Sequence, residues 1–312
     1  MSELSKAIGF QHEPSPVNWT KRDLLLYAVG IGAKKEDFPF VYELHKSFAP
    51  FPTYPVVLSL KGDSQDVTDF SKGFAGEPIP GLPKFDPNRV VHGSMSIEVL
   101  KPLPVESGPG WSLKKTIAGV HENKSGIICD VELLLVDPSG VPYTRMISSS
   151  FNLGAKSNPP QKFSKSTSSS PAAKPPPKGV NPNYIVTETT SEEQAILYRL
   201  SGDYNPTHID PSIGKKMGFG GVILHGLATY GFAARAVLER LAGNDPNALK
   251  YFACRFTSPV KPGDTIETSI WEMGPGPDGT TEVSFVTKDL TSGKIVLGGG
   301  IAYVRTVAKS RL

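Results

Sequence analysis

The sequence has only two cysteines, Cys129 and Cys254, and each stands in an apolar run. Such sparse cysteine usage argues against a disulfide framework and fits a reducing compartment. The longest apolar stretch, 24–33, is far shorter than the roughly 20 residues that a membrane-spanning helix needs. The first residues also lack a basic region followed by an apolar one, so no secretory signal is expected. We therefore expect a soluble globular protein with no membrane partner.

Neither sign of charge dominates the chain. Lys and Arg number 33 and Asp and Glu number 30, which gives a formal net charge of +3 over 312 residues. A small, evenly spread excess argues against a nucleic-acid partner. The six histidines do not cluster, and no metal-ligand spacing, phosphate-binding loop or dinucleotide-binding glycine pattern occurs. The sequence thus predicts no bound metal and no cofactor.

A segment at 158–183 is rich in proline, serine and lysine and nearly without apolar residues. Such a composition cannot bury enough surface to offset the entropy of ordering, so a flexible linker, partly in polyproline II, is expected. It divides the chain into an N-terminal domain, 1–157, and a C-terminal domain, 184–309.

The two halves repeat one order of elements. Each has a capped helix start, then a strand that ends in Lys-Pro, then an extended run that enters an Asp, Ser, Gly turn. The matched segments are 20–30 with 191–201, 95–104 with 255–264, and 127–140 with 281–293. The offset drifts along the chain, so chance agreement is the alternative to a duplication.

The second half adds a long helical pattern at 222–241 that is apolar nearly all round, as in a buried helix. Strand-like runs follow at 251–260, 264–272, 281–289 and 295–304. Three successive glycines, 298–300, predict a bulge in the last strand. We expect one buried helix against an antiparallel sheet.

The richest polar cluster is S-G-D-Y-N-P-T-H-I-D-P, 201–211. Asp203 and His208 are separated by Asn205-Pro206, and the proline stops the preceding helix, so the cluster is expected on a loop. A water held between a carboxylate and an imidazole can lose a proton as it attacks an electron-poor carbon, and the pair can return a proton to the neighbouring carbon. This is the chemistry of hydrating a conjugated double bond. The alternative is that Asp203 caps a turn and His208 is a satisfied buried histidine.

Two runs, Y-R-L-S-G-D-Y-N-P-T-H-I-D-P (198–211) and L-H-G-L-A-T-Y-G (224–231), resemble the signature of the hydratase 2 branch of the MaoC-like double hot-dog family, the (R)-specific 2-enoyl-CoA hydratases. F-V-Y-E (40–43) and V-V-H-G (90–93) resemble the first repeat of eukaryotic two-repeat members, so the resemblance spans the chain. It implies an α+β double hot-dog fold, in which two repeats each wrap an antiparallel sheet around a helix.

The resemblance implies reversible hydration of trans-2-enoyl-CoA to (3R)-3-hydroxyacyl-CoA without a cofactor. Asp203 and His208 would activate the water, and Asn205 would help to shape the site. The Gly226 N–H, at a helix start that offers free backbone donors, would stabilise the thioester oxygen, with close helix packing as the alternative. His225 is expected to be structural.

Further site residues rest on the resemblance alone. Glu43 matches a glutamate associated with activity, with an exposed acid as the alternative interpretation. His92, Gly93, Lys124 and Phe256 match or adjoin positions that contact the hydroxyacyl-CoA. The basic residues that face the CoA phosphates stay open among Lys101, Lys124, Arg199, Arg255 and Lys261.

The first repeat lacks the Asp and His pair, because Gly32 aligns with Asp203. The resemblance implies that this degenerate half accommodates the acyl chain. One half is therefore expected to keep the chemistry.

The last three residues, Ser310-Arg311-Leu312, resemble a C-terminal peroxisomal address that an import receptor reads. Together with the catalytic motif, they predict a role in peroxisomal fatty-acid β-oxidation in the matrix. Rival interpretations are a MaoC-like dehydratase of a specialised polyketide or toxin pathway, a thioesterase and a non-catalytic acyl-CoA binding protein. Chain-length preference, direction and the choice between monomer and homodimer stay open.

Overall fold

A computed structural model describes residues 3–70 and 78–306. Its strands join in one antiparallel sheet. The strands are β1 (Ser15–Pro16), β2 (Val90–Val99), β3 (Ser112–Asn123), β4 (Gly126–Val136), β5 (Pro142–Leu153), β6 (Phe163–Ser166), β7 (Tyr184–Thr189), β8 (Leu249–Phe256), β9 (Thr265–Pro275), β10 (Thr281–Asp289) and β11 (Ile295–Val304). The α-helices are α1 (Lys21–Gly30), α2 (Phe38–Val41), α3 (Leu58–Lys61), α4 (Gln194–Arg199), α5 (Pro211–Lys216) and α6 (Gly226–Ala242). Short 3-10 helices lie at Glu3–Ala7, Tyr54–Val57, Pro87–Arg89, Pro206–His208 and Pro277–Gly279.

The strand order shows the internal repeat. It runs β1-β3-β4-β5-β2 in the first half and continues β8-β11-β10-β9-β7 in the second, with β6 added beside β3. The halves meet where β2 pairs with β8, with Met95 opposite Cys254. Tyr27 of α1 and Tyr198 of α4, which match in the sequence alignment, have ring centroids 6.0 Å apart. The predicted repeat and the α+β architecture are therefore confirmed.

Helix α6 is the buried helix of the second half. It begins at Gly226, four residues later than predicted, because His225 is extended (φ −57°, ψ 133°) and its carbonyl accepts from the first helical turn. It ends at Ala242, because the next residue, Gly243, has a positive φ of 56° that suits glycine and stops the helix. Every residue from Leu227 to Leu238 is buried. The predicted packing of an apolar helix against the sheet is confirmed.

The first half has a much shorter counterpart. The 3-10 helix Tyr54–Val57 runs directly into α3, which stops at Gly62 with a φ of +62°. Pro55 suits the first turn of this segment, whereas a residue with positive φ cannot continue a helix. The segment is buried throughout its 3-10 turn.

Both cysteines are free and buried, as predicted. Burial raises the pKa of the Cys129 thiol to about 12, so it stays protonated. The glycine run also behaves as expected, because the pairing of β11 with β8 shifts register between Gly298 and Ile301. Gly299 takes a φ of +59° at this bulge.

The segment 158–183 is not a wholly flexible linker, and that expectation is corrected. Its β6 pairs with β3, so backbone hydrogen bonds order it despite its few apolar side chains. Further on, Lys174 Nζ lies 2.9 Å from Glu282 Oε1, and Ser284 Oγ donates to the Lys174 carbonyl at 3.0 Å. The segment is thus attached to both halves.

Within 3–70 and 78–306, no helix combines the length and apolar character needed to cross a membrane. The proposed targeting residues Ser310-Arg311-Leu312 lie outside the described residues.

Candidate active site

The loop between α4 and α5 carries the predicted catalytic pair. Gly202 precedes Asp203 with a φ of +121°, and a Cβ there would lie 2.7 Å from Lys61 Cβ and 2.9 Å from its backbone nitrogen. Only glycine allows this close approach, so the loop packs directly on the backbone of Lys61 in the first half. Asn205 caps the next turn, since its side chain accepts from Thr207 N–H at 3.0 Å. The predicted position on a loop is confirmed.

His208 presents a free ring nitrogen. Its Nδ1 lies 2.9 Å from the Ile223 carbonyl oxygen, which can only accept, so Nδ1 carries the proton and Nε2 holds a lone pair. A carboxylate oxygen of Asp203 lies within 4.8 Å of a His208 ring nitrogen. No direct hydrogen bond joins the two side chains in the described chain, and two hydrogen bonds of about 2.8 Å through one water can span this gap.

Burial shifts the proton affinity of both groups. It raises the pKa of Asp203, whereas the nearby His208 and Arg199 lower it by a smaller amount. Burial lowers the pKa of His208, whereas the neighbouring Asp203 raises it by a smaller amount. The two groups titrate as a unit, in which His208 is a neutral base near pH 7. Such a pair can accept a proton from water and return one to carbon.

Gly226 is the first residue of α6, where backbone N–H groups have no partner within the helix and the helix dipole is positive. A Cβ on Gly226 would lie 3.1 Å from Phe256 Cδ1, so a side chain would press on that ring. The N–H can therefore serve an oxyanion in a tight space.

The predicted substrate residues His92, Gly93 and Phe256 lie together where β2 meets β8. The His92 and Phe256 ring centroids are 4.6 Å apart, and the pairing of β2 with β5 shifts register at Gly93. His92 Nε2 is 3.1 Å from Ser148 Oγ, and burial lowers the pKa of His92 to about 4, so the ring is neutral near pH 7. The Phe256 ring also packs beside Gly226, so these residues adjoin the start of α6.

Two predicted residues lie apart from the pair. Glu43 is exposed in the turn after α2, without a hydrogen bond or ion pair to Asp203 or His208. Lys124 is exposed in the turn between β3 and β4, at the end of the sheet where β2 begins. Their roles stay predictions.

The sequence predicts a structural role for His225, and the structure shows this side chain buried between the Asp203 loop and His208. Its Nε2 donates to the Asp203 carbonyl at 3.1 Å. Its ring stacks on His208, with centroids 3.7 Å apart and an angle of 28° between the planes. The centroid of the Tyr198 ring lies 4.9 Å from that of His225. Its position directly before Gly226 was the only sequence signal.

Asp203, His208 and His225 also form a set that could offer ligands to a metal ion, with one atom from each within 4.8 Å of the others. Two imidazoles and a carboxylate are ligands that zinc uses. The two rings are stacked and nearly parallel, however, so their in-plane lone pairs do not converge on one point. The geometry suits water handling better than tetrahedral coordination.

Comparison with known proteins places the chain in a family. The profile described as MFE-2 hydratase 2 N-terminal domain matches residues 17–154, and that described as MaoC like domain matches residues 174–294. A protein named "Probable enoyl-CoA hydratase 2" from Dictyostelium discoideum is 35% identical over 99% of this chain and 99% of its own length. The chain belongs to the MaoC-like hydratase 2 family.

Other similar proteins extend this result. A "Probable dehydratase NIT22" from Ajellomyces capsulatus is 36% identical over 95% of this chain and 81% of its own length. The crystal structure of a MaoC-like dehydratase from Phytophthora capsici matches with a TM-score of 0.87 at 34% identity, over 99% of both chains. Relatives from Mus musculus and Arabidopsis thaliana bear names that call them peroxisomal. The solved structures confirm the predicted double hot-dog fold.

Proposed function

We propose that this chain catalyses the reversible hydration of trans-2-enoyl-CoA to (3R)-3-hydroxyacyl-CoA. The observation that carries the proposal is the water-sized gap between the Asp203 carboxylate and the His208 ring beside the first turn of α6. Membership of a family whose relatives are named enoyl-CoA hydratase 2 supports the same reaction. The (3R) configuration follows from that family relation.

In the proposed mechanism, the thioester oxygen accepts a hydrogen bond from Gly226 N–H. A water between Asp203 and His208 gives a proton to the pair while its oxygen bonds to C3, and the C2–C3 π electrons move onto the thioester oxygen. The pair then delivers a proton to C2, so one water adds across the double bond. Asn205 would orient the Asp203 carboxylate, since its backbone N–H donates to Asp203 Oδ1 at 3.3 Å. Both proton transfers use the pair, so we propose that no cofactor or metal takes part.

The rest of the substrate would lie along the junction of β2 and β8. His92, Gly93 and Phe256 would contact the hydroxyacyl-CoA there, and Lys124 would extend toward its phosphates from the end of the sheet where β2 begins. Glu43 is retained as a residue that supports activity from outside the pair.

The test of this function uses purified protein and trans-2-enoyl-CoAs of several chain lengths. Loss of the conjugated absorbance is followed, and the product is trapped with (3R)- or (3S)-specific dehydrogenases. Turnover trapped only by the (3R) enzyme supports the proposal. Release of free thiol would instead indicate a thioesterase, and tight binding without turnover a non-catalytic acyl-CoA binding protein.

A second candidate is dehydration of a 3-hydroxyacyl thioester in a specialised polyketide or toxin pathway, with the same residues acting in reverse. Two similar proteins are named dehydratases, which favours it. Activity on such a thioester but on no enoyl-CoA would select this candidate.

The proposed location is the peroxisomal matrix, reached through an import receptor that reads Ser310-Arg311-Leu312. Peroxisomal names among the relatives support this at the level of the family. A homodimer is proposed as the assembly. An N-terminal fluorescent fusion should enter peroxisomes, and removal of the last three residues should leave it in the cytosol.

A further inference from the structure

His225 touches three parts of the candidate site at once. Its Nε2–H donates to the Asp203 carbonyl at 3.1 Å, and its ring covers one face of His208 with centroids 3.7 Å apart. Its own carbonyl accepts from Ala228 N–H at 3.0 Å and from Thr229 N–H at 3.2 Å. The next residue along the chain is Gly226, the proposed oxyanion donor, at the start of α6. The base, the carboxylate loop and the helix start therefore share one neighbour.

We propose that His225 is a positioning residue that fixes the ring plane of His208 and the Asp203 loop against the first turn of α6. The proposal rests on the proposed hydration chemistry and assigns a role that the catalytic pair alone does not explain. His225 would act through its neighbours and not by touching the substrate.

The contacts on His208 show why such a residue is needed. The Nδ1–H bond to the Ile223 carbonyl fixes one end of the ring but permits the ring to tilt about that bond. The His225 ring, stacked with its centroid 3.7 Å from that of His208, restricts this tilt. The Tyr198 ring packs on His225 in turn, with centroids 4.9 Å apart. A small misplacement of a catalytic group can cost about 100-fold in rate, so this restraint bears directly on turnover.

The chemistry of the ring also suits the role. Nε2 donates to a carbonyl and therefore carries a proton, whereas Nδ1 has no hydrogen-bond partner among the described residues, as suits a neutral ring with one proton. Burial lowers the pKa of His225 well below its usual range, and the neighbouring His208 lowers it further. A neutral ring can face His208 while that base holds a proton, whereas a charged one would repel it.

Three variants separate positioning from simple stability. His225→Phe keeps a ring and removes the donor, whereas His225→Gln keeps a donor and removes the ring. Tyr230→Phe is the matched control, since Tyr230 is a buried ring within α6 and, like His225, donates one hydrogen bond to a backbone carbonyl, that of Phe252 at 2.8 Å. For each, kcat, KM and the melting temperature are measured with a trans-2-enoyl-CoA that the parent protein hydrates.

We expect Tyr230→Phe to keep kcat and KM within about twofold while the melting temperature falls. His225→Phe should lose about 10- to 100-fold in kcat with little change in KM, and His225→Gln should recover part of that loss. Parent-like kcat in His225→Phe, or a change in KM alone, would overturn the proposal. If His225→Phe does not fold, an unchanged kcat in His225→Gln overturns it. An inactive parent protein would count against the proposed function instead.

Discussion

Replacing Asp203 by asparagine should change activity and stability in opposite directions. The exchange keeps the shape of the side chain, and its oxygen can still accept from Asn205 N–H, now 3.3 Å away. The amide cannot take a proton from water, and removal of a general acid or base costs about 10²- to 10⁴-fold in rate. We therefore expect kcat to fall by about that factor, which is about 3 to 5 kcal/mol in activation free energy.

The same exchange should stabilise the fold at neutral pH. Burial raises the pKa of Asp203 in the folded state, so the folded protein binds this proton more tightly than the unfolded chain does. The stability linked to the proton is present below the unfolded pKa and is lost as pH rises through the folded value. Asparagine avoids that loss, which amounts to about 1.4 kcal/mol for each unit of the pKa rise.

The assay pairs enoyl-CoA hydration with urea unfolding at pH 7 and pH 4. Asp203→Asn should unfold at higher urea than the parent at pH 7, and the difference should shrink at pH 4. The control is Asp210→Asn, at the exposed cap of α5, where the side chain accepts from Ser212 N–H at 2.7 Å and asparagine caps equally well. A variant that keeps a tenth of the parent kcat, or that is less stable than the parent at pH 7, would refute the reasoning.

Three more changes test the structure around the site. Burial lowers the pKa of His92 to about 4, so the free energy of unfolding should fall as pH drops from 7 to 5, by at most about 2 kcal/mol from this ring, and His92→Gln should weaken that slope in urea titrations. Gly202→Ala forces a Cβ against Lys61 and should cost about 2 to 5 kcal/mol together with most of kcat, whereas Gly218→Ala, with positive φ but open space, should cost about 1 to 2. Arg235→Met removes the cation that pairs with the buried Asp37 and the partly buried Glu188 from a side chain that is 2% exposed, and urea titrations should show an unfolding free energy about 3 to 5 kcal/mol lower.

The elements of the second half could be predicted because local patterns decide them. The alternating runs became β9, β10 and β11, and the apolar stretch became α6. The turn residues also matched, since Asp137 and Asp289 each accept backbone N–H groups within their turns. In these places the preference of the sequence and the tertiary fold agree.

The features that the sequence did not reveal depend on contacts between distant segments. Strand β6 forms because β3 offers an edge, although its own composition suggests disorder. The fit of Gly202 against Lys61 joins residues from different halves, and no local pattern encodes it. The contacts of His225 could not be predicted, because its partners, Asp203 and His208, come from a separate loop.

The fate of the first repeat follows from the same kind of contact. Gly32 aligns with Asp203, and it has a φ of +82°. A Cβ at Gly32 would lie 2.2 Å from Cε1 of Phe232, and one at Gly231 would lie 2.2 Å from Ile31 Cγ2, so this loop packs tightly on α6 where its counterpart in the second half holds the catalytic pair. An aspartate side chain at Gly32 would clash with the Phe232 ring and leave no room there for a bound water. The first repeat thus lacks more than two polar residues, because the space that a second site would need is filled by α6, whose first turn lies beside the candidate site of the second repeat.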